Sequence, residues 1–133
     1  MFSIQPNYRD RIREIILIAP DIDTDQFSDF ISTKISPLTL YTSENDPSLA
    51  VSKQFNTHRL AGDSAEHLLI TSKVETINTG TTNLSLNGHS NLADTSSILG
   101  DIWDLVINNS RAVSRNKLEI RYSPEGTYWE YPR

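Results

Sequence analysis

Ile15-Ile16-Leu17-Ile18-Ala19, closed by Pro20 and followed by Asp21-Ile22-Asp23, is the stretch that decides the fold class. A short, unbroken apolar run ended by proline suits a strand buried on both faces. Such strands belong to parallel sheets covered by helices on each side. Asp23 and Gln26 then make a capping-box-like start for a helix, and Phe27, Phe30, Ile31 and Ile35 recur at helical spacing.

The same alternation continues toward the C-terminus. Pro37 precedes a second strand, Leu38 to Thr42, which runs into Ser43-Glu-Asn-Asp46-Pro47. Pro47 fits the first position of a short helix over Leu49 to Phe55, with Asp46 as its cap. Asn56 to Lys73 reads as a long loop with a helical turn near Ala65 to Leu69, and Val74 to Thr79 as a weaker third strand. Gly80 to Asn91 is polar and glycine-punctuated, hence a loop. Asp94 is expected to cap a helix that buries Ile98, Leu99, Ile102, Trp103, Leu105 and Val106. Finally Leu118, Ile120 and Tyr122 alternate with charges, Ser123-Pro-Glu-Gly126 is a turn, and Tyr128 to Tyr131 is a return strand. The expected fold class is α/β: three parallel strands with crossover helices, plus a C-terminal hairpin at about residues 117–131, in a single domain 1–133.

Composition narrows the partners. The 133 residues carry 12 basic and 17 acidic side chains, a formal charge of −5. An acidic surface repels phosphate backbones and anionic lipid, so neither nucleic acid nor a membrane is an expected partner. There is no cysteine, which excludes a disulfide framework, a thiolate nucleophile and cysteine-ligated zinc. With no signal-peptide pattern and no run of roughly 18 apolar residues, a cytoplasmic protein is expected.

In an open parallel sheet the functional groups gather where the strands end. That rule selects Asp21 and Asp23 after the first strand, Asp46 after the second and His89 after the third. A carboxylate and an imidazole on neighbouring strand ends are two parts of a hydrolytic triad. The acid fixes the imidazole tautomer, and the imidazole takes the nucleophile's proton. Each group also has a plainer role: Asp46 and Asp23 as helix caps, Asp21 in the turn after Pro20, and His89 facing water in a polar loop. His58 and His67 lie in the loose segment and carry little signal. Gly88-His-Ser90-Asn-Leu92 is not a Gly-x-Ser-x-Gly elbow, because Leu92 stands where glycine is required and no histidine follows His89.

Taken together, Ala19-Pro-Asp-Ile-Asp23, Leu38-Thr-Leu-Tyr-Thr-Ser-Glu-Asn-Asp46, Leu49-Ala-Val-Ser52, Arg59-Leu-Ala-Gly-Asp63 and Gly88-His-Ser90 with Ala93-Asp94 resemble the C-terminal half of an uncharacterised bacterial α/β-hydrolase family, esterase- or lipase-like. The resemblance runs over about residues 15–106. It implies a partial α/β-hydrolase domain whose three parallel strands are the sixth, seventh and eighth of the hydrolase sheet. It makes Asp46 the acid, with Asp21 or Asp23 as alternatives, and His89 the base. Relative to the family pattern, Asn78 replaces an aspartate and Asn91 an aromatic residue. The family's nucleophile elbow and oxyanion loop precede the segment that matches Ile15. Residues 1–14 hold one serine, Ser3, and no glycine.

The resemblance thus implies a hydrolase part that is inactive alone. Its expected partner is an N-terminal hydrolase half, or another copy joined through an exposed sheet edge. A non-catalytic interaction module, with Tyr128, Trp129 and Tyr131 as its contact surface, or a truncated remnant are the alternatives. No metal or organic cofactor is implied.

Overall fold

The structure is a computed structural model that describes residues 12–33, 37–44, 49, 59–65, 68–80, 92–115 and 117–131, with 92–97 described by backbone alone. The elements run β1 (Ile15–Ile18), α1 (Thr24–Ser32), β2 (Leu38–Thr42), β3 (Val74–Asn78), α2 (Leu92–Asn108), a 3₁₀ turn (Ala112–Ser114), β4 (Glu119–Ser123) and β5 (Gly126–Glu130). All five strands share one sheet in the order β1-β2-β3-β5-β4. β1, β2 and β3 are parallel neighbours in register, Ile15 against Leu38 and Leu38 against Val74. The C-terminal hairpin joins the same sheet, with β5 parallel to β3 and β4 antiparallel to β5.

Side chains alternate across a strand, and here both faces are covered. Leu38 and Leu40 of β2 pack with Phe27 and Ile31 of α1, Ala61 and Val74. Tyr41 points the other way and packs with Ile77 and with Ile98 of α2, joined by Ile16, Ile102, Leu118, Trp129 and Tyr131. α1 therefore covers one face and α2 the other, and every position of β2 is buried. Full burial of an aliphatic or aromatic side chain such as Phe27 or Ile31 contributes about 1.5–3 kcal/mol. Thr39, polar yet buried, is satisfied by donating its hydroxyl proton to Glu14 Oε1 at 2.8 Å.

Four expectations need correction or refinement. Helix α2 begins at Leu92, so Asp94 lies inside its first turn and is not its cap. An acidic residue is favoured in either place by the helix dipole. The sheet takes Ile98, Ile102 and Leu105 from α2, whereas Leu99, Trp103 and Val106 are exposed. The fourth inward position is the charged Asp101, which the apolar pattern could not announce. The segment after Asn56 is also not loose throughout: residues 59–64 are stitched into the strand ends. Lastly, Trp129 and Tyr131 of the hairpin are partly buried and pack against the core on the α2 face. The short helix after Pro47 lies outside the described residues apart from Leu49, which is helical and buried. Among the described residues no helix is long and apolar enough to cross a membrane.

Candidate functional site

The C-terminal ends of β1, β2 and β3 are tied together by backbone groups. After β1 the chain turns at Ala19, whose φ of +43° is in the left-handed region. Its N–H donates to Tyr41 O at 2.8 Å. Residues 59–64 wedge between the exits of β1 and β2. Ala61 N donates to Ile22 O, Gly62 N to Pro20 O, Ser43 N to Gly62 O and Ser64 N to Ser43 O, at 2.8, 3.1, 2.9 and 3.0 Å. Only glycine fits at position 62, because a Cβ there would lie 2.4 Å from backbone atoms of Ala19 and Pro20. The Arg59-Leu-Ala-Gly-Asp63 motif thus locks two strand exits against each other, which is a structural role.

The exits of β2 and β3 meet directly. Thr79 N donates to Thr42 O at 2.9 Å, and Glu44 N donates to Gly80 O at 2.7 Å. Asn78 is the side chain that joins them. Its Oδ1 accepts from Ser64 Oγ at 2.9 Å and from Gly80 N at 3.0 Å, with Thr42 Oγ1 at 3.5 Å. Its Nδ2 points to Glu44 Oε1 at 3.5 Å. An amide suits this place better than a carboxylate would, since it accepts on one side and presents a donor to Glu44 on the other. An aspartate here would set two negative charges against each other.

A second polar cluster roots α2 on the sheet. Tyr41 OH donates to Asp101 Oδ2 at 2.5 Å, and Arg115 Nε donates to Asp101 Oδ1 at 2.8 Å. Arg115 and Asp101 are almost fully buried, 1% and 4% exposed. Arg115 Nη1 also donates to Ser110 O at 2.9 Å. Burial, reinforced by the Asp101 carboxylate, pushes the Tyr41 phenol far above its ordinary range. Burial does the same to Tyr131, with Asp101 again contributing. At the opposite end of the sheet Arg111 pairs with Glu14 at 2.7 Å, and Ala112 N donates to Glu75 Oε2 at 2.9 Å. α2 is thus held near its middle by Asp101 and just past its C-terminal end by Arg111 and Ala112.

Asp46 and His89 both lie outside the described residues, as do His58, His67 and Ser90. What the described residues show are the roots of the two loops. Asp46 stands two positions beyond Glu44, and the segment carrying His89 leaves from Gly80 and returns to the sheet through α2. Asp23 is the N-cap of α1, its Oδ1 accepting from Asp25 N at 2.9 Å and Gln26 N at 3.4 Å. Asp21 is exposed in the turn after β1. Among the described residues no group of three or more potential ligands is arranged to hold a metal ion.

Sequence reasoning missed the roles of Asn78, Ser64 and Glu44. A readable signal existed for the first: an asparagine two residues before a glycine is the pattern of an Asx turn, which Asn78 and Gly80 form, with Gly80 at a φ of +64°.

Neither the curated proteins nor the solved structures contain a match to this chain. A family model described as an alpha/beta hydrolase of unknown function (DUF900) matches residues 2–99, which span β1 to the first half of α2. The parallel sheet covered on both faces agrees with that description, and the chain belongs to this family of α/β hydrolases.

Proposed function

We propose that the chain is the C-terminal part of a serine esterase- or lipase-like hydrolase, contributing the acid Asp46 and the base His89. The nucleophilic serine and the oxyanion loop come from residues outside this sequence. His89 takes the serine proton as the hydroxyl attacks an ester carbonyl, then returns it to the leaving alcohol. Asp46 holds the imidazole in the required tautomer and stabilises its charged form.

The observation that carries this reading is the hydrogen bond from Glu44 N to Gly80 O, 2.7 Å long. It joins the roots of the two segments that carry the candidate residues, Asp46 two positions after Glu44 and His89 nine after Gly80. The anchoring of α2 through Asp101 to Tyr41 of β2 ties down the far side of the histidine loop as well. The capping role of Asp23 favours Asp46 over Asp23 as the acid, because a carboxylate engaged at a helix N-terminus is committed there.

Losing a triad nucleophile costs on the order of 10⁶ in turnover. The isolated chain is therefore expected to cleave a short-chain p-nitrophenyl ester no faster than buffer. Ester cleavage by the pure chain that disappears in a His89→Ala variant would show that it carries its own nucleophile, against this proposal.

A further inference from the structure

Helix α2 is apolar on two sides. Ile98, Ile102 and Leu105 face the sheet, whereas Leu99, Trp103, Val106 and Ile107 are 56, 65, 50 and 57% exposed. With 3.6 residues to the turn, Trp103 lies more than a third of a turn round from the sheet-facing three. This second stripe therefore looks away from the sheet, and nothing in the packing of a single chain accounts for it.

The positions of the second stripe are symmetrical about Trp103. Leu99 stands four residues before it and Val106 three after, both on one side of it round the helix. Gly100 stands three before and Ile107 four after, both on the other side. A twofold axis through Trp103, perpendicular to two antiparallel copies of α2, reverses the chain direction and keeps each side on its own side. It sets Leu99 of one copy against Val106 of the other and Gly100 against Ile107, with the two Trp103 rings meeting on the axis. Such reciprocal matching is what a twofold interface between identical chains requires. A different polypeptide seated on the stripe would give no reason for the symmetry.

Gly100 supports the same arrangement. A glycine inside a helix is unfavourable relative to alanine. Gly100 is exposed, its φ is not positive, and apart from its chain neighbours and the helix backbone no atom lies within 4 Å of the Cβ it lacks. Neither packing nor backbone conformation within one chain calls for glycine there. In the pair it leaves the notch that Ile107 of the other copy fills.

Charge does not oppose the contact, since the stripe carries no ionisable side chain. The neighbouring carboxylate, Asp104, lies further round beyond Gly100 and accepts from Asn108 Nδ2 at 2.8 Å. The stripe exposes on the order of 500 Å² of apolar side chain, toward the top of the range for the largest patch on a monomer. Pairing two copies removes about 1,000 Å² from water, the lower limit for a specific interface.

We propose that this chain forms a homodimer by antiparallel packing of α2 on α2, with Trp103 on the twofold axis. The two sheets lie on the outside of the pair, and the β1 edge takes no part. The contact is independent of the hydrolase role proposed above.

Analytical ultracentrifugation of the full chain at tens of micromolar tests it, and the expected mass is twice the 15.0 kDa of one chain. Trp103→Asp should weaken the dimer about 30-fold or more, the effect of losing an interface hot spot, with the circular dichroism unchanged. Gly100→Gln separates contact from folding. It introduces a better helix former, so dilute protein should lose no helix, yet the added side chain should weaken the dimer about tenfold or more. Because the chain has no cysteine, Leu99→Cys and Val106→Cys proteins can be mixed and oxidised to read the register. The mixed disulfide should form in preference to either self-disulfide. A monomer at that concentration overturns the proposal, as does a dimer indifferent to Trp103→Asp and Gly100→Gln. So does a dimer dissolved by Ile18→Asp at the β1 edge instead, or a monomer that joins a different polypeptide through Trp103. Leu99→Cys protein that cross-links to itself faster than to Val106→Cys overturns the antiparallel pairing.

Discussion

Gly62 and Asn78 show how single residues organise the strand ends. The Cβ that any other residue would place at position 62 meets backbone, which has no side-chain rotamer to yield. Overpacking of this kind typically costs about 1–3 kcal/mol, and Gly62→Ala should fall at the upper end of that range. Chemical denaturation of the two proteins measures the difference directly; equal midpoints would mean that the 59–64 clamp is not formed. At this scale the sequence was only partly legible. The capping carboxylate of Asp23 was readable because its bonds are local in the chain. The partners of Asn78 include Ser64 and Glu44, 14 and 34 positions away, and nothing local names them.

At the scale of elements, α2 carries the sharpest difference between pattern and structure. Its apolar residues cover an arc wider than the sheet can bury, so periodicity alone assigned Leu99, Trp103 and Val106 to the core. The strand run Ile15–Ile18 and β2 were both legible from their apolar stretches, but only β2 is buried on both faces; β1, at the edge of the described sheet, is partly buried and Ile18 is exposed. Asp101 escaped notice because its partners Tyr41 and Arg115 come from a strand and a turn elsewhere.

That network makes a pH-dependent prediction. Burial raises Tyr41 and Tyr131 above their unfolded value of about 10. A group whose folded form holds its proton more tightly stabilises the fold fully below the unfolded value, and that stabilisation is lost as pH rises beyond it. The wild-type chain should lose stability between about pH 10 and pH 12, and Tyr41→Phe should lose it less steeply, by about 1.4 kcal/mol per pH step for the one phenol removed. Urea unfolding at a series of alkaline pH values checks this. Parallel curves would mean that Tyr41 is not buried against Asp101.

On the scale of the whole molecule, the parallel order of the first three strands was legible from their alternation with helices, and the family match over residues 2–99 spans those strands. The incorporation of the hairpin was not, since pairing of β5 with β3 joins residues about fifty positions apart and leaves no local trace. The architecture gathers three parallel strand exits and leaves the β1 edge apolar, and both follow from how the sheet is ordered. The central claim is that the turns leaving β2 and β3 present Asp46 to His89. NMR of the imidazole nitrogens in the full chain, at about pH 8 where histidine is neutral, tests it most directly, with His89→Gln assigning the signal among the three histidines. The expected result is His89 in the Nδ1–H tautomer with a strongly downfield ring proton, reverting to an ordinary histidine signal in Asp46→Ala while His58 and His67 stay unchanged. A His89 signal that is the same with and without Asp46 would contradict it.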